Sequence, residues 1–348
     1  MRIIQWAFPF LPVQGGREVL IDTLSRQLVE MGHQVLVVTD TPSESSEINA
    51  PYTVFRFEAN ELSSLISTVE SFNPDVIHVH NYLDNSILLL MQLAALPRIV
   101  VTFHNEHIHS DSSIAKSRYL WLRENAICII AISEFVKRSI EQSNDFFGLR
   151  LETIYNGTPL INSAQELGQN LLFLGRLVPE KGLGFLISSF YLTLQRHPNL
   201  CLNIVGDGPF RASFEKLVTD LGIGKSVKFL GWQTGQELHE SYMSARLVVV
   251  PSAWREPFGL IAIEAMMHAR PILVTDRGGL PEIVDNGVNG FVVQPGDVLG
   301  LAARISQIFS DPQLALQLGL GGHAKALREF SISTMSEKHL RIYSEAMA

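Results

Sequence analysis

The sequence predicts an α/β protein made of two doubly wound domains, each built on a parallel sheet. Three observations lead to this prediction. Short apolar runs of strand length alternate with helical patterns from end to end, as expected for repeated βαβ units. The length of 348 residues exceeds what one hydrophobic core usually serves. The composition, with 46% hydrophobic and 18% charged residues, is typical of a packed globular protein.

The first domain is predicted over residues 1–158. Between its first two strands, Leu20, Leu24 and Leu28 recur at helical spacing, and Gly32 marks the end of that helix. Since apolar runs and helical patterns continue to alternate beyond this point, one parallel sheet is expected. The strand candidates are residues 3–7, 35–39, 54–57, 76–80, 99–103, 127–132 and 152–155.

A second domain of the same class is predicted over residues 159–332. Residues 156–168 contain two glycines, a proline and small polar residues without an apolar period, which indicates an interdomain linker. Residues 333–348 form a last helical pattern after the second series of elements. The strand candidates of the second domain are residues 171–174, 202–205, 227–230, 247–250, 272–275 and 291–293.

The bulk properties exclude some classes of partner and indicate a cellular compartment. The formal net charge of -8 argues against a nucleic-acid surface, which needs clustered Lys and Arg. Cys128 and Cys201 lie in apolar strand-like runs, so we expect no disulfide and a reducing environment. The sequence has no run of 18 apolar residues and no signal-peptide pattern at its start, so we expect a cytoplasmic protein.

Three segments follow predicted strands, where parallel sheets bind ligands. Gly15 and Gly16 follow the first strand and allow the backbone to approach an anion closely. Arg176 and Lys181 follow the first strand of the second domain, and two cations at a strand end suit a diphosphate. An ordinary tight turn and a solvated loop are the simpler interpretations of these two segments.

The third segment contains two glutamates and the start of an apolar helix. Glu256 follows a strand, and Glu264 lies inside the helix, where a carboxylate is costly without a partner. Phe258, Gly259 and Leu260 would present N–H groups at the helix start. Helix capping would account for Glu256 without any ligand, but it would not account for Glu264.

Taken together in their order and spacing, these motifs give the chain a specific resemblance. It resembles glycosyltransferase family 4, the group 1 type of retaining glycosyltransferases, whose GT-B fold has two Rossmann-like domains facing a central cleft. The resemblance extends over almost the whole chain. The matching motifs are Gly15-Gly16-x-Glu18, Asn156-Gly157, Gly175-Arg176-x-x-x-x-Lys181-Gly182, Gly206-Asp207-Gly208-Pro209, the Glu256 to Glu264 element with its Phe258-Gly259, and Gly278-Gly279-Leu280-Pro281-Glu282-Ile283.

The resemblance implies a role for each matching residue on the donor side. Arg176 and Lys181 would hold the diphosphate of a nucleotide-sugar donor, most readily a UDP- or GDP-sugar. Glu264 would accept hydrogen bonds from the ribose, and Glu256 would hold hydroxyls of the sugar. The glycines at 15 and 16 and the amides of Phe258, Gly259 and Leu260 would assist at the diphosphate.

On the acceptor side, His104 matches the acceptor-side histidine of the family, and the helix at 333–348 would join the first domain. Neither a metal nor a cofactor is expected beyond the donor substrate. Two departures from the family pattern concern structure: Thr158-Pro159 follows Asn156-Gly157, and Ala269 stands where the family has a glycine.

Other site chemistries have weaker support. The histidines at 78, 80, 104, 107 and 109 fit no zinc spacing, and we expect His78 and His80 to line the cleft as polar residues at a strand end. No Gly-x-Gly-x-x-Gly follows the first strand, which argues against a nicotinamide dehydrogenase. The nearest imitation, at residues 319–324, is predicted to be a turn between helices.

Several functional alternatives stay open at this point. A phosphorylase or an epimerase of the same fold would use a similar phosphate site, and a non-catalytic nucleotide-binding or scaffold subunit would share the fold. The acceptor, whether a small molecule, a glycan or a lipid-linked group, is not specified. Lys116, Arg118, Tyr119, Trp121 and Arg123 would allow a weak peripheral contact with the inner membrane face. A surface helix with its aromatic residues packed inward is the simpler interpretation.

Overall fold

The computed structural model describes residues 1–13, 15–43, 49–58, 61–80, 89–90, 98–161 and 166–345. The chain divides into two compact units, one formed by Met1–Pro159 with Ser331–Ala348 and the other by Leu160–Phe330. The described strands are β1 (Arg2–Trp6), β2 (Gln34–Thr39), β3 (Thr53–Arg56), β4 (Val76–Val79), β5 (Arg98–Phe103), β6 (Ala126–Ala131), β7 (Leu151–Thr153), β8 (Asn170–Leu174), β9 (Leu202–Val205), β10 (Val227–Gly231), β11 (Ala245–Val250), β12 (Ile272–Thr275) and β13 (Gly290–Val293).

Helices follow most of these strands, as the alternating pattern predicts. Short 3-10 helices lie at Pro179–Lys181 and Gly224–Ser226. The described α-helices are α1 (Gly16–Glu30), α2 (Leu62–Phe72), α3 (Ser113–Asn125), α4 (Glu134–Ser143), α5 (Leu183–Leu194), α6 (Arg211–Asp220), α7 (Gly235–Ser244), α8 (Leu260–Met267), α9 (Leu280–Ile283), α10 (Val298–Ser310), α11 (Pro312–Glu329) and α12 (Ile332–Glu345).

Each unit contains one parallel sheet, which confirms the predicted fold class. The first sheet has the strand order β3-β2-β1-β4-β5-β6-β7, and the second has the order β10-β9-β8-β11-β12-β13. Most strand residues are buried, because helices cover both faces of a doubly wound sheet. Each sheet starts from an inner strand, β1 in the first and β8 in the second, and the next two strands in the chain add to one side of it. The later strands add to the other side.

The second unit has a single apolar core. Side chains such as Phe173, Leu186 and Phe190 are almost fully buried between its sheet and its helices. Residues 319–324 lie inside α11, so the predicted turn at this position is wrong. A Cβ at Gly319 would lie 2.3 Å from the carbonyl oxygen of Ala269 and one at Gly322 would lie 3.1 Å from Met266, so the glycines serve close helix packing.

The last helix belongs to the core of the first unit. In α12, Ile332, Met335 and Tyr343 pack with α1 residues such as Ile21. Residues 346–348 of the predicted helix lie outside the described part. At the start of the predicted linker, Thr158 pairs with Ser331 in an isolated β-bridge. This part of the linker is therefore tied to the first unit, and residues 162–165 are not among those described.

Two observations bear on the expectations for membranes. None of the helices in the described ranges is both long and apolar enough to cross a bilayer. In α3, Tyr119 is buried, Trp121 is half-buried, and Lys116 and Arg123 are exposed. The aromatic side of this helix therefore faces the protein, as the simpler interpretation of the sequence predicts.

Candidate active site

The sheet topology determines where a ligand site can form in the second unit. β8 and β11 are neighbours, and β9 and β12 flank them on opposite sides. Loops that leave β8 and β11 therefore diverge to opposite faces and open a crevice at the carboxyl end of the sheet. The predicted donor residues follow these two strands: Arg176 and Lys181 come after β8, and the two glutamates come after β11.

Two glycines shape the loop that follows β8. Gly175 has φ +143 and Gly182 has φ +75, values that side chains rarely adopt. A Cβ at Gly182 would lie 1.9 Å from the carbonyl oxygen of Pro251, just after β11. The glycine at 182 thus allows the neighbouring Lys181 to reach the loop that follows β11.

Lys181 and Glu256 form an ion pair. Lys181 Nζ lies 2.7 Å from Glu256 Oε1, and the two side chains are 29% and 12% exposed. The same carboxylate oxygen accepts a hydrogen bond of 2.6 Å from the Ser252 hydroxyl. The ammonium also lies 6.0 Å from the centre of the Trp254 ring. One cation and one carboxylate are therefore held together at the mouth of the crevice.

Arg176 is arranged differently from Lys181. Its side chain is exposed at the end of β8. Within the described part of the chain, its guanidinium has no hydrogen-bond or ion-pair partner. A guanidinium presents several donors in one plane and can bind a phosphate bidentately. The residue is therefore available to an anion in a way that the paired lysine is not.

The N-terminus of α8 directly follows the loop after β11 in the sequence. Gly259 precedes the helix with φ +131, and a Cβ there would lie 2.6 Å from Leu280 Cδ2. The Phe258 side chain is buried and packs edge-on against Phe330, with ring centres 5.9 Å apart. The first amides of the helix, including that of Leu260, have no carbonyl partner within the helix and carry the positive end of its dipole.

Glu264 lies on the second turn of α8 and has a buried partner. The Tyr242 hydroxyl on α7 donates a hydrogen bond of 2.6 Å to Glu264 Oε2. Burial raises the pKa of Glu264, and the tyrosine hydrogen bond opposes that rise. No partner of Oε1 lies among the described residues. The carboxylate is therefore oriented through one oxygen, and the other remains able to accept a hydrogen bond.

A histidine supports this tyrosine. The His268 ring stacks on Tyr242 at 4.4 Å, and its Nδ1–H donates to the Glu264 carbonyl oxygen at 2.7 Å. Burial lowers the pKa of His268 to about 4, so the ring is neutral near pH 7. Tyr242, His268 and Ser252 were not predicted from the sequence, because no motif connects them with the donor residues.

In the first unit, Gly15 and Gly16 begin α1, after β1. Gly15 is the N-cap residue and has no side chain to fill that position. The nearby Glu18 carboxylate is paired with Arg17 at 2.8 Å. A Cβ at Gly15 would lie 2.2 Å from Glu18 Oε2, so a larger residue there would require this flexible carboxylate to move.

His104 follows β5 and belongs to a row of three polar side chains. His104 Nε2 lies 3.1 Å from His80 Nδ1, and His80 Nε2 lies 2.6 Å from Gln5 Oε1. Burial lowers the pKa of His104 to about 3, with smaller effects from Arg17 and His339. His104 is therefore neutral near pH 7.

His78 and His80 are both buried. The expectation that His78 lines an open cleft is wrong, because α12 covers it: the Tyr343 hydroxyl lies 2.6 Å from His78 Nδ1. His107 and His109 are separate from this row, and both are paired with Asp145. Across the described ranges, no three His, Cys, Asp or Glu side chains are grouped as metal ligands would be.

Comparison with known proteins agrees with this geometry. A family model for group 1 glycosyl transferases matches residues 157–324, and one for glycosyltransferase family 4 matches residues 14–160. An uncharacterized glycosyltransferase of Methanocaldococcus jannaschii is 28% identical over 387 residues, which cover 99% of this chain and 98% of the relative.

Solved structures share the fold. Sucrose-phosphate synthase of Thermosynechococcus elongatus has a TM-score of 0.81 at 22% identity, with 99% of both chains covered. Anabaena HepE in complex with UDP-glucose has a TM-score of 0.80 at 21% identity, with 99% of this chain and 100% of that chain covered. The matches decide for a transferase over a dehydrogenase, and the chain is a GT-B glycosyltransferase of group 1 type that belongs to family 4.

Proposed function

We propose that this enzyme transfers a sugar from a nucleoside diphosphate sugar to an acceptor with retention of anomeric configuration. The observation that carries the proposal is the placement of Arg176 and of the Lys181–Glu256 ion pair after β8 and β11, where the strand order of the second sheet switches direction. The similar Anabaena structure holds UDP-glucose, which supports a UDP-sugar as the first donor to test. A GDP-sugar would satisfy the same diphosphate contacts.

The donor contacts follow from the chemistry of the second unit. Arg176 and Lys181 bind the diphosphate, and the amides at the start of α8 add donors for its oxygens. Glu264 accepts hydrogen bonds from the ribose through the oxygen that Tyr242 leaves open. Glu256, next to Lys181, binds hydroxyls of the transferred sugar.

The same groups account for catalysis without a metal. Cleavage of the sugar–phosphate bond places negative charge on the leaving diphosphate, and fixed cations and helix amides stabilise that charge as it develops. The leaving phosphate oxygen takes the proton of the acceptor hydroxyl on the face where the new bond forms. The anomeric configuration is then retained, and the side chains mainly position the two substrates.

The first unit provides the acceptor side in this proposal. His104 is a neutral imidazole able to exchange hydrogen bonds with an acceptor hydroxyl. The proposal keeps the predicted role of Gly15 and Gly16 at the diphosphate. No contact within the first unit tests this role. The acceptor is a small molecule, a glycan or a lipid-linked group, and we place the reaction in the cytoplasm or at the inner membrane face.

A thermal-shift panel tests the proposal. Nucleoside mono- and diphosphates and their sugars are added to the full chain and to Arg176→Ala. A ligand at 100 times its Kd stabilises the folded state by about 2.7 kcal/mol, so a diphosphate that binds raises the melting temperature clearly. The shift should be largest for one diphosphate series and smaller in the variant. A panel without any shift would contradict the donor proposal.

Retention is tested on the product of the donor selected in this way. Proton NMR distinguishes α- from β-glycosides by the coupling of the anomeric proton. A product with the same configuration as the donor supports the retaining path. A product of inverted configuration would contradict it and would require a side chain that acts as a base opposite the leaving group.

A further inference from the structure

A row of hydrogen bonds in the first unit has a defined direction. Gln5 lies on β1, His80 directly follows β4, and His104 directly follows β5. The three side chains connect through distances of 2.6 Å and 3.1 Å. Gln5 and His80 are buried, and His104 is half-buried at the outer end of the row. The row therefore runs from the centre of the sheet towards its carboxyl edge.

The amide oxygen of Gln5, at the buried end of the row, determines which nitrogen of each histidine ring carries a proton. Gln5 Oε1 accepts only, so His80 Nε2 must carry the hydrogen that it donates to Gln5. A neutral His80 then has an unprotonated Nδ1, which must accept a hydrogen bond. His104 donates that bond from Nε2, so its own Nδ1 is unprotonated. No partner of His104 Nδ1 is found in the described part of the chain.

The orientation of the Gln5 amide agrees with its surroundings. Burial raises the pKa of Tyr343, and the Gln5 side chain opposes that rise, as an N–H donor near the phenol oxygen would. The amide oxygen is the atom that faces His80, 2.6 Å from its Nε2. Among the described residues, the hydrogen bond of the Gln5 side chain is the one that Oε1 accepts from His80.

A second row holds the His80 ring in place. The Tyr343 hydroxyl of α12 lies 2.6 Å from His78 Nδ1, and His78 Nε2 lies 2.6 Å from the Thr102 hydroxyl. The rings of His78 and His80 have centres 4.0 Å apart. Because both rings are buried, a rotation of the His80 ring that exchanged the positions of its two nitrogens would break this packing.

We propose that His80 is a positioning residue that holds His104 as the neutral Nε2–H tautomer, with the Nδ1 lone pair presented to the acceptor hydroxyl. The mechanistic part rests on the acceptor-side role of His104 proposed above. In that role, His104 Nδ1 accepts the hydrogen bond of the acceptor hydroxyl and orients its oxygen towards the sugar. The other tautomer would present a donor and could not do so.

Nitrogen-15 NMR of the histidine side chains in the full chain tests the tautomer directly, without any substrate. The His104 signals are assigned by their loss in His104→Gln. We expect a protonated Nε2 and an unprotonated Nδ1 at pH 7.5. The opposite tautomer in the unaltered protein would overturn the proposal, whatever the enzyme activity.

Two variants of His80 separate positioning from packing. Asparagine places an amide oxygen near the position of His80 Nδ1, so His80→Asn should keep the tautomer of His104. Leucine is similar in size to histidine and has no hydrogen-bond acceptor, so His104 should no longer be held in a single tautomer in His80→Leu. The signals of His197 in the second unit should stay unchanged in both variants. An unchanged His104 tautomer in His80→Leu would overturn the proposal.

Turnover of the donor selected by thermal shift adds the functional readout. We expect kcat to fall about 10- to 100-fold in His80→Leu, to stay near the original value in His80→Asn, and KM for the donor to change little. Equal losses in both variants would contradict a positioning role. Full activity of His104→Gln together with the expected tautomer would refute the acceptor role of His104 and leave the tautomer assignment supported.

Discussion

The two glutamates of the donor site should respond differently to the loss of their charge. Glu264 Oε2 already accepts from Tyr242, so its free oxygen is the one that a ribose hydroxyl can use. Glu256 Oε1 already accepts from both Ser252 and Lys181, so this carboxylate is tied to the cation that we propose to bind the diphosphate. Loss of the charge on Glu264 should therefore weaken nucleotide binding, and loss of the charge on Glu256 should slow the transfer of the sugar.

The expected sizes follow from these contacts. Glu264→Gln weakens hydrogen bonds to a charged acceptor, worth about 1.5 to 3 kcal/mol, so the Kd for free nucleoside diphosphate should rise about 10- to 150-fold. Glu256→Gln removes an anion close to the bound diphosphate, so the Kd should stay equal or decrease slightly. Its kcat should fall by about 100-fold, because the sugar loses a contact that matters in the transition state.

The assay combines calorimetric titration of the nucleoside diphosphate with initial rates for the nucleotide sugar. Glu329→Gln on α11 is the matched control, because within the described ranges that glutamate has the neighbouring Arg328, near the surface, as its ion-pair partner. Both of its measured values should equal those of the unaltered enzyme. If Glu256→Gln lost nucleotide binding and kept its turnover, the division of roles between the two carboxylates would be refuted.

Three further predictions concern metal, backbone and pH. Initial rates should be unchanged by EDTA, and a loss that added divalent ion restores would show a metal requirement. Gly259→Ala should lower the free energy of unfolding by about 1 to 3 kcal/mol, because φ +131 and the contact with Leu280 disfavour a Cβ. Gly224→Ala is the control, because a Cβ at Gly224 would meet open space. Equal urea midpoints for the two variants would contradict this prediction. Burial lowers the pKa of His339 to about 4 in the folded chain, so the unfolded chain binds the proton more tightly and stability is lost as pH falls from about 6.5 towards 4. Each such histidine contributes about 1.4 kcal/mol per pH unit in that window, and urea unfolding at pH 7.5 and 5.5 should show the loss in the unaltered protein and a smaller one in His339→Leu.

Local patterns were sufficient to predict most of the fold. Buried parallel strands are continuous apolar runs in the sequence, and those of β8 and β11 were visible as such. The glycines at 319 and 322 were misleading because glycine indicates either a turn or close packing, and only the tertiary contact with Ala269 and Met266 distinguishes them. The order of strands within each sheet depends on long-range pairing, which no local pattern contains.

The candidate site was predicted in part. Motif spacing indicated Arg176, Lys181 and both glutamates as candidates, because strand ends and helix starts are visible in the sequence, and their roles stay predictions. Their partners were not identified. Tyr242 lies in a polar helix 22 residues before Glu264, and no periodicity connects the two. His80 was noted in a strand, but its contact with His104 depends on the pairing of β4 with β5.

Calorimetric titration of nucleoside diphosphate into Arg176→Ala and Lys181→Ala tests the central claim most directly, because that claim places the donor diphosphate at the end of β8. Lys216→Ala is the control, since this exposed lysine pairs with Asp220 on α6. We predict that each of the two site variants folds normally and loses about 1.5 to 3 kcal/mol of binding free energy, and that the control binds as the unaltered enzyme does. Affinity that is unchanged in both site variants would contradict the account.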